Sequence, residues 1–153
     1  MEKTTDRRTR APNNKIKGLL YKIENELAGS IEPISIVELN SFERKLIHRH
    51  FDRNPGVVTK TYRKNDDYEL RVYPVGNLKK FAMKKADEVV QTGKKAVLPH
   101  MGSFERYVVH SALKEIDSVK SRSYGDGENR HIEIEAAVFG RGLRRIIKKI
   151  RLL

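Results

Sequence analysis

Residues 103–110 read Ser-Phe-Glu-Arg-Tyr-Val-Val-His, and residues 41–48, 62 positions earlier, read Ser-Phe-Glu-Arg-Lys-Leu-Ile-His. Five of the eight positions are identical, and two more exchange one branched aliphatic for another. The match runs outward without a gap. Upstream, Lys22, Glu26 and Ile36 fall on Lys84, Glu88 and Leu98; downstream, Val57, Thr59, Thr61, Tyr62, Leu70 and Val72 fall on Val119, Ser121, Ser123, Tyr124, Ile132 and Ile134. A gapless repeat of this length means one folding unit used twice, and positions kept in both copies constrain each other as those of two homologues would. An Arg and a His four apart are kept while the residues between them change.

Each copy carries the same succession of patterns: helix, short strand, helix, strand, strand. Ile16, Leu19, Leu20, Ile23 and Leu27 recur at helical spacing over 15–27, as do Leu78, Phe81, Ala82, Ala86, Val89 and Val90 over 77–91. Short extended pieces follow at 34–37 and 95–98. A second helix starts at Asn40 or Gly102, and Asn40 with Glu43 has the spacing of a capping box. Val57, Thr59 and Thr61 then alternate with Val58, Lys60 and Tyr62, and Leu70 and Val72 with Arg71 and Tyr73. In the second copy Val119, Ser121 and Ser123 alternate with Lys120, Arg122 and Tyr124, and Ile132 and Ile134 with His131, Glu133 and Glu135. Alternation of this kind marks antiparallel strands with one buried and one wet face. The expected fold is α+β: two tandem units, each with two helices on a three-stranded, mainly antiparallel sheet. The units span 15–75 and 76–137, behind a polar, disordered basic arm over 1–14 and ahead of an amphipathic helix over 138–153.

The chain has 153 residues and a formal net charge of +12, with a pI near 10.0. That balance calls for a polyanionic partner, either a nucleic acid or an anionic membrane surface. There is no cysteine, so disulfides, zinc knuckles and thiol catalysis are excluded. No apolar run approaches the roughly 20 residues of a membrane span, and no signal sequence follows the N-terminus. A cytoplasmic location is expected.

At positions i and i+4, Arg106 and His110 project from one helix face, as do Arg44 and His48 in the first copy. A guanidinium able to bond bidentately, beside an imidazole that can donate or carry charge, is a competent phosphate clamp. Lys60 in the first copy, and Lys120, Arg122 and Arg130 in the second, are expected to extend that surface along a nucleic-acid backbone. Tyr62 and Tyr124 hold equivalent places at strand ends, where an aromatic either packs or offers a stacking plane. No catalytic constellation emerges. His48 and His110 belong to different units, and no carboxylate cluster or metal-ligand spacing accompanies either one. Neither enzyme activity, a cofactor, a metal nor a small-molecule substrate is expected.

Leu98-Pro99-His100-Met101-Gly102-Ser103-Phe104-Glu105-Arg106 with Val109-His110, followed by Val119, Ser121, Ser123, Gly125, Gly127 and Asn129-Arg130, resembles the R-three-H domain. That family takes its name from its Arg-x-x-x-His signature, and the version most like this one belongs to bacterial Jag-type RNA-binding proteins. The resemblance covers residues 77–136. It implies a small α+β fold that binds single-stranded RNA or DNA, with Arg106 and His110 on the binding surface. Residues 15–75 resemble the same domain but lack the glycines of its turn and the Asn-Arg pair. No Gly-x-x-Gly loop is present, so the KH domain that precedes this unit in Jag-type proteins is not expected here.

The last segment, Arg141 to Leu153, carries six Lys or Arg and no acid, half of the net charge. Leu143, Ile146, Ile147 and Ile150 fall on one helical face, with Arg144, Arg145, Lys148 and Lys149 opposite. Docking on the second unit, contact with RNA phosphates and adsorption to a membrane surface all fit this pattern. The leading expectation is a single-stranded nucleic-acid binder, RNA before DNA. The alternative is a structural protein of the ribosome or another ribonucleoprotein, holding folded RNA through its basic surface and tails.

Overall fold

The computed structural model describes residues 7–137; the expected C-terminal helix over 138–153 and residues 1–6 of the expected arm lie outside the described residues. The first five elements are α1 (Arg7–Leu27), β1 (Ile34–Ile36), α2 (Ser41–Phe51), β2 (Val58–Lys64) and β3 (Asp67–Tyr73). The order then repeats as α3 (Val75–Thr92), β4 (Ala96–Val97), α4 (Ser103–Lys114), β5 (Val119–Tyr124) and β6 (His131–Ala136). The chain divides into two compact units between Leu78 and Lys79, inside α3. One boundary differs from expectation. Helix α1 begins at Arg7 rather than Lys15, so residues 7–14 are helical instead of disordered. Arg and Ala are strong helix formers, and a polar stretch ahead of an amphipathic helix can extend it without any apolar stripe.

Both sheets are three-stranded, in the orders β1-β3-β2 and β4-β6-β5, and every pairing is antiparallel. The last strand of each unit is therefore central, and β2 and β5 are edges. Register fixes which side chains share a face. In the first sheet Thr59 and Thr61 lie opposite Val72 and Leu70, while Lys60 and Tyr62 lie opposite Arg71 and Glu69. In the second, Ser121 and Ser123 lie opposite Ile134 and Ile132, whereas Lys120, Arg122 and Tyr124 lie opposite Glu135, Glu133 and His131. Because successive side chains point to opposite faces, the hydroxyls sit on the core side and the cations and tyrosines on the other.

In the first unit Ile23 and Leu27 of α1, Ile47 and Phe51 of α2, and Leu70 and Val72 of β3 pack with Leu39 into one core. The second unit buries Ala82, Ala86 and Val89 of α3, Val108, Val109 and Leu113 of α4, and Ile132 and Ile134 of β6. Burying one such aliphatic side chain fully contributes about 1.5–3 kcal/mol.

Helix α2 starts as its sequence requires. The Asn40 Oδ1 accepts from the Glu43 N–H at 2.8 Å, and Glu43 Oε2 accepts from the Asn40 N–H at 2.9 Å. Glu43 also receives Lys15 Nζ at 2.9 Å, and these donors hold its carboxyl below the usual carboxylate range, the lysine first. Gly102 has no side chain to give, so α4 keeps only the return half of the box, with Glu105 Oε2 accepting from the Gly102 N–H at 2.8 Å.

The hairpin turns differ between units. Lys64 pairs with Asp67, leaving a two-residue turn in which Asn65 takes φ 58°; Asn tolerates that left-handed conformation better than most residues. Between β5 and β6 the chain runs through Gly125 at φ 81° and one 3-10 turn, Gly127–Asn129. A Cβ on Gly125 would stand 2.8 Å from the Asn129 carbonyl oxygen, so only glycine fits this bend.

Candidate nucleic-acid interface

Arg106 and His110 lie one turn apart on α4, and each is anchored to a different neighbour. Arg106 Nη1 donates to the Met101 carbonyl at 2.6 Å, and the Met101 N–H donates to the Arg130 carbonyl at 3.2 Å. The guanidinium is thus fixed beside the chain that enters β6. His110 reaches across to β5, its Nδ1 2.7 Å from Ser121 Oγ and its Nε2 3.1 Å from Ser123 Oγ. The first unit repeats this geometry. Arg44 Nη1 donates to the Leu39 carbonyl at 2.5 Å, and His48 Nδ1 and Nε2 lie 2.5 and 2.9 Å from Thr59 and Thr61 Oγ1.

The hydroxyl clamp decides what the imidazole can do. A neutral ring has one donor and one acceptor nitrogen, so one serine gives a hydrogen bond and the other takes one. Burial, and then the Arg106 charge beside it, lowers the His110 pKa below the ordinary imidazole value of 6.5. At neutral pH His110 is uncharged, and the charge offered to a phosphate is that of Arg106. His131 behaves in the opposite way. The Asn129 carbonyl and then the Glu133 carboxylate accept from its ring, at 2.9 and 3.3 Å, and raise its pKa above 6.5.

These shifts set opposite pH dependences. As pH falls through 6.5 the unfolded chain protonates His110 before the folded one does, so this group withdraws stability at acid pH. His131 contributes stability that is fully present below 6.5 and is lost as pH rises through its raised folded value. Imidazole NMR titration should place the His110 midpoint below 6.5 and the His131 midpoint above it; the reverse order would contradict this geometry.

The two arginines of the motif have different surroundings. The Tyr68 ring covers the Arg44 guanidinium, with Cζ 4.5 Å from the ring centroid. At the repeat offset of 62, Tyr68 corresponds to Arg130. The second unit therefore places another exposed cation where the first places an aromatic cover. Lys120 and Arg122 are exposed, but their alternation with Ser121 and Ser123 puts them on the sheet face opposite His110. Lys60, half-buried, stands likewise opposite Thr59 and Thr61. The eight expected contact residues thus fall on two faces of their sheets rather than one. A shallow depression of about 500 Å³ along the free edge of β5 is lined by His110 and Ser121 and also by Lys120 and Arg122.

Sequence reading missed the partners of the histidines, Thr59, Thr61, Ser121 and Ser123. The signal was present, since both positions keep a hydroxyl through a Thr-to-Ser exchange on a strand face otherwise occupied by core aliphatics. Among the described residues no group of three or more His, Asp or Glu is placed to hold a metal ion, and no helix is long and apolar enough to cross a membrane.

The fold and the Arg–His geometry of the second unit have a counterpart among known domains: residues 76–136 match the family model of the R-three-H domain. The match covers the second unit. The chain is also similar to the RNA-binding protein KhpB of Bacillus subtilis (strain 168), with 32% identity over 120 residues, 77% of this chain and 56% of KhpB. It spans little more than half the length of that relative.

Proposed function

We propose that this protein binds single-stranded nucleic acid, RNA before DNA, without catalysing a reaction on it, and does so in the cytoplasm. The observation that carries the reading is the anchored Arg106 guanidinium beside a hydroxyl-clamped, neutral His110 in a unit that matches the R-three-H family. Similarity to a protein named for RNA binding supports it. Arg106 and Arg130 contact phosphate on the α4 side of β5, and Lys120 and Arg122 add cations across the strand's free edge. The first unit is a divergent copy of the same domain, supported by its equal strand order and its equivalent Arg44 and His48 bonds. It contributes a weaker contact through Arg44, His48 and Lys60. The basic segment 138–153 adds charge that reads no sequence.

Binding through phosphates releases counterions, and for single strands log affinity falls by about 0.7 per contacted phosphate per decade of salt. Four cations, Arg106, Arg130, Lys120 and Arg122, give a slope of about −3. Titrating a labelled short single-stranded RNA at several salt concentrations should yield a slope at least this steep. Affinity independent of salt, or no binding at any length of strand, would rule the reading out.

A further inference from the structure

The face of the second sheet turned away from its helices carries Lys120, Arg122 and Tyr124 at every second position of β5, about 7 Å apart along the strand. We propose that this face is a stacking platform for an unpaired nucleobase, with Tyr124 as the plane and Lys120 and Arg122 as the cations for the flanking phosphates. The proposal rests on the nucleic-acid reading above and adds a second contact surface to it.

Comparison of the two units carries the argument. In the first, the counterpart Tyr62 is packed: the Arg71 guanidinium lies over its ring at 5.0 Å, and its hydroxyl meets that of buried Tyr73 at 2.9 Å. Arg71 is in turn held flat by Glu69 through bonds of 3.0 and 3.1 Å. At the offset of 62, Arg71 and Tyr73 are replaced by Glu133 and Glu135. Tyr124 has lost both packing partners and kept its aromatic ring. It is 39% exposed, with only a tilted His131 ring beside it, centroids 6.5 Å apart and planes at 33°. A large aromatic without its packing partners on an open sheet is what a stacking contact requires.

The charges around it fit a phosphate-bearing ligand. Glu133, opposite Arg122, is already held by Lys95 at 2.6 Å and by His131 at 3.3 Å. Among the described residues neither Arg122 nor Lys120 forms an ion pair. Val97 of β4, 59% exposed, lies opposite Glu133 and adds apolar surface to this face. The depression along the free edge of β5 joins the two faces, because His110 and Ser121 line it together with Lys120 and Arg122. A strand crossing that edge touches Arg106 on one side and lays a base on Tyr124 on the other.

The test uses the full chain and single-stranded RNA oligonucleotides with 2-aminopurine at successive positions. Stacking on Tyr124 quenches one probe position. Tyr124→Phe keeps the ring and should retain the quenching, whereas Tyr124→Leu should abolish it and weaken binding on the order of tenfold. Replacing Lys120 and Arg122 together by Gln should flatten the salt slope by about 1.4. Arg106→Ala is the control for the underlying reading. If Arg106→Ala weakens binding while Tyr124→Leu leaves affinity and quenching unchanged, the platform is wrong and the nucleic-acid reading stands. If the unaltered chain binds no strand, both are wrong.

Discussion

Replacing Arg106 and His110 together by alanine is expected to weaken binding of a short single-stranded RNA by about 1–3 kcal/mol, roughly fivefold to a hundredfold. The same change at Arg44 and His48 should cost less. The ranking follows from surroundings, because both pairs share one backbone geometry. Arg44 is covered by Tyr68 at 4.5 Å, so a phosphate reaching its guanidinium must compete with the ring face. Arg106 instead has the exposed Arg130 tied to its anchor through Met101. The rigid Gly125 bend that leads into Arg130 exists only in the second unit. Fluorescence anisotropy with both variants, checked for folding by circular dichroism, measures the difference. A larger loss from the first unit, with both variants folded, would overturn the assignment.

The second large effect is on stability. Changing Ser121 and Ser123 to alanine removes both partners of the half-buried His110 ring. Leaving its polar nitrogens unpaired costs about 1–3 kcal/mol, and water entering the gap recovers part of that. Binding should also suffer, since the clamp sets where α4 meets β5. Threonine at both positions should be tolerated, because Thr59 and Thr61 already perform this role for His48. Urea denaturation of the alanine and threonine double variants separates the two outcomes. An alanine variant as stable as the parent would show that the hydroxyls do not hold the ring.

The repeat made much of this architecture legible in advance. Alternation located the strands of both hairpins, Asn40 and Glu43 announced the capping box that forms, and the turn lacking glycine proved differently shaped from the one that has two. What stayed hidden depended on pairs distant in the chain. Lys15 meets Glu43 across 28 positions, and the cover of Tyr68 over Arg44 depends on where a hairpin end comes to rest. The separation of Lys120 and Arg122 from His110 is different in kind. It was implicit in the period of two, since a residue between two hydroxyls facing the helix must itself face away. Judging cations by nearness in sequence alone placed them on one surface, and the pleat places them on two.

The central claim is a preference for unpaired strands, and one competition measures it most directly. The full chain is loaded with labelled single-stranded RNA at fixed salt and challenged with the same unlabelled strand, its duplex, and a large folded RNA. Bases must be unstacked to lie on Tyr124 or to follow the edge of β5, so the account predicts displacement by the single strand at much lower concentration than by the duplex. Equal displacement by duplex, or displacement by the large folded RNA alone, would contradict it and make the basic surface a holder of structured RNA instead.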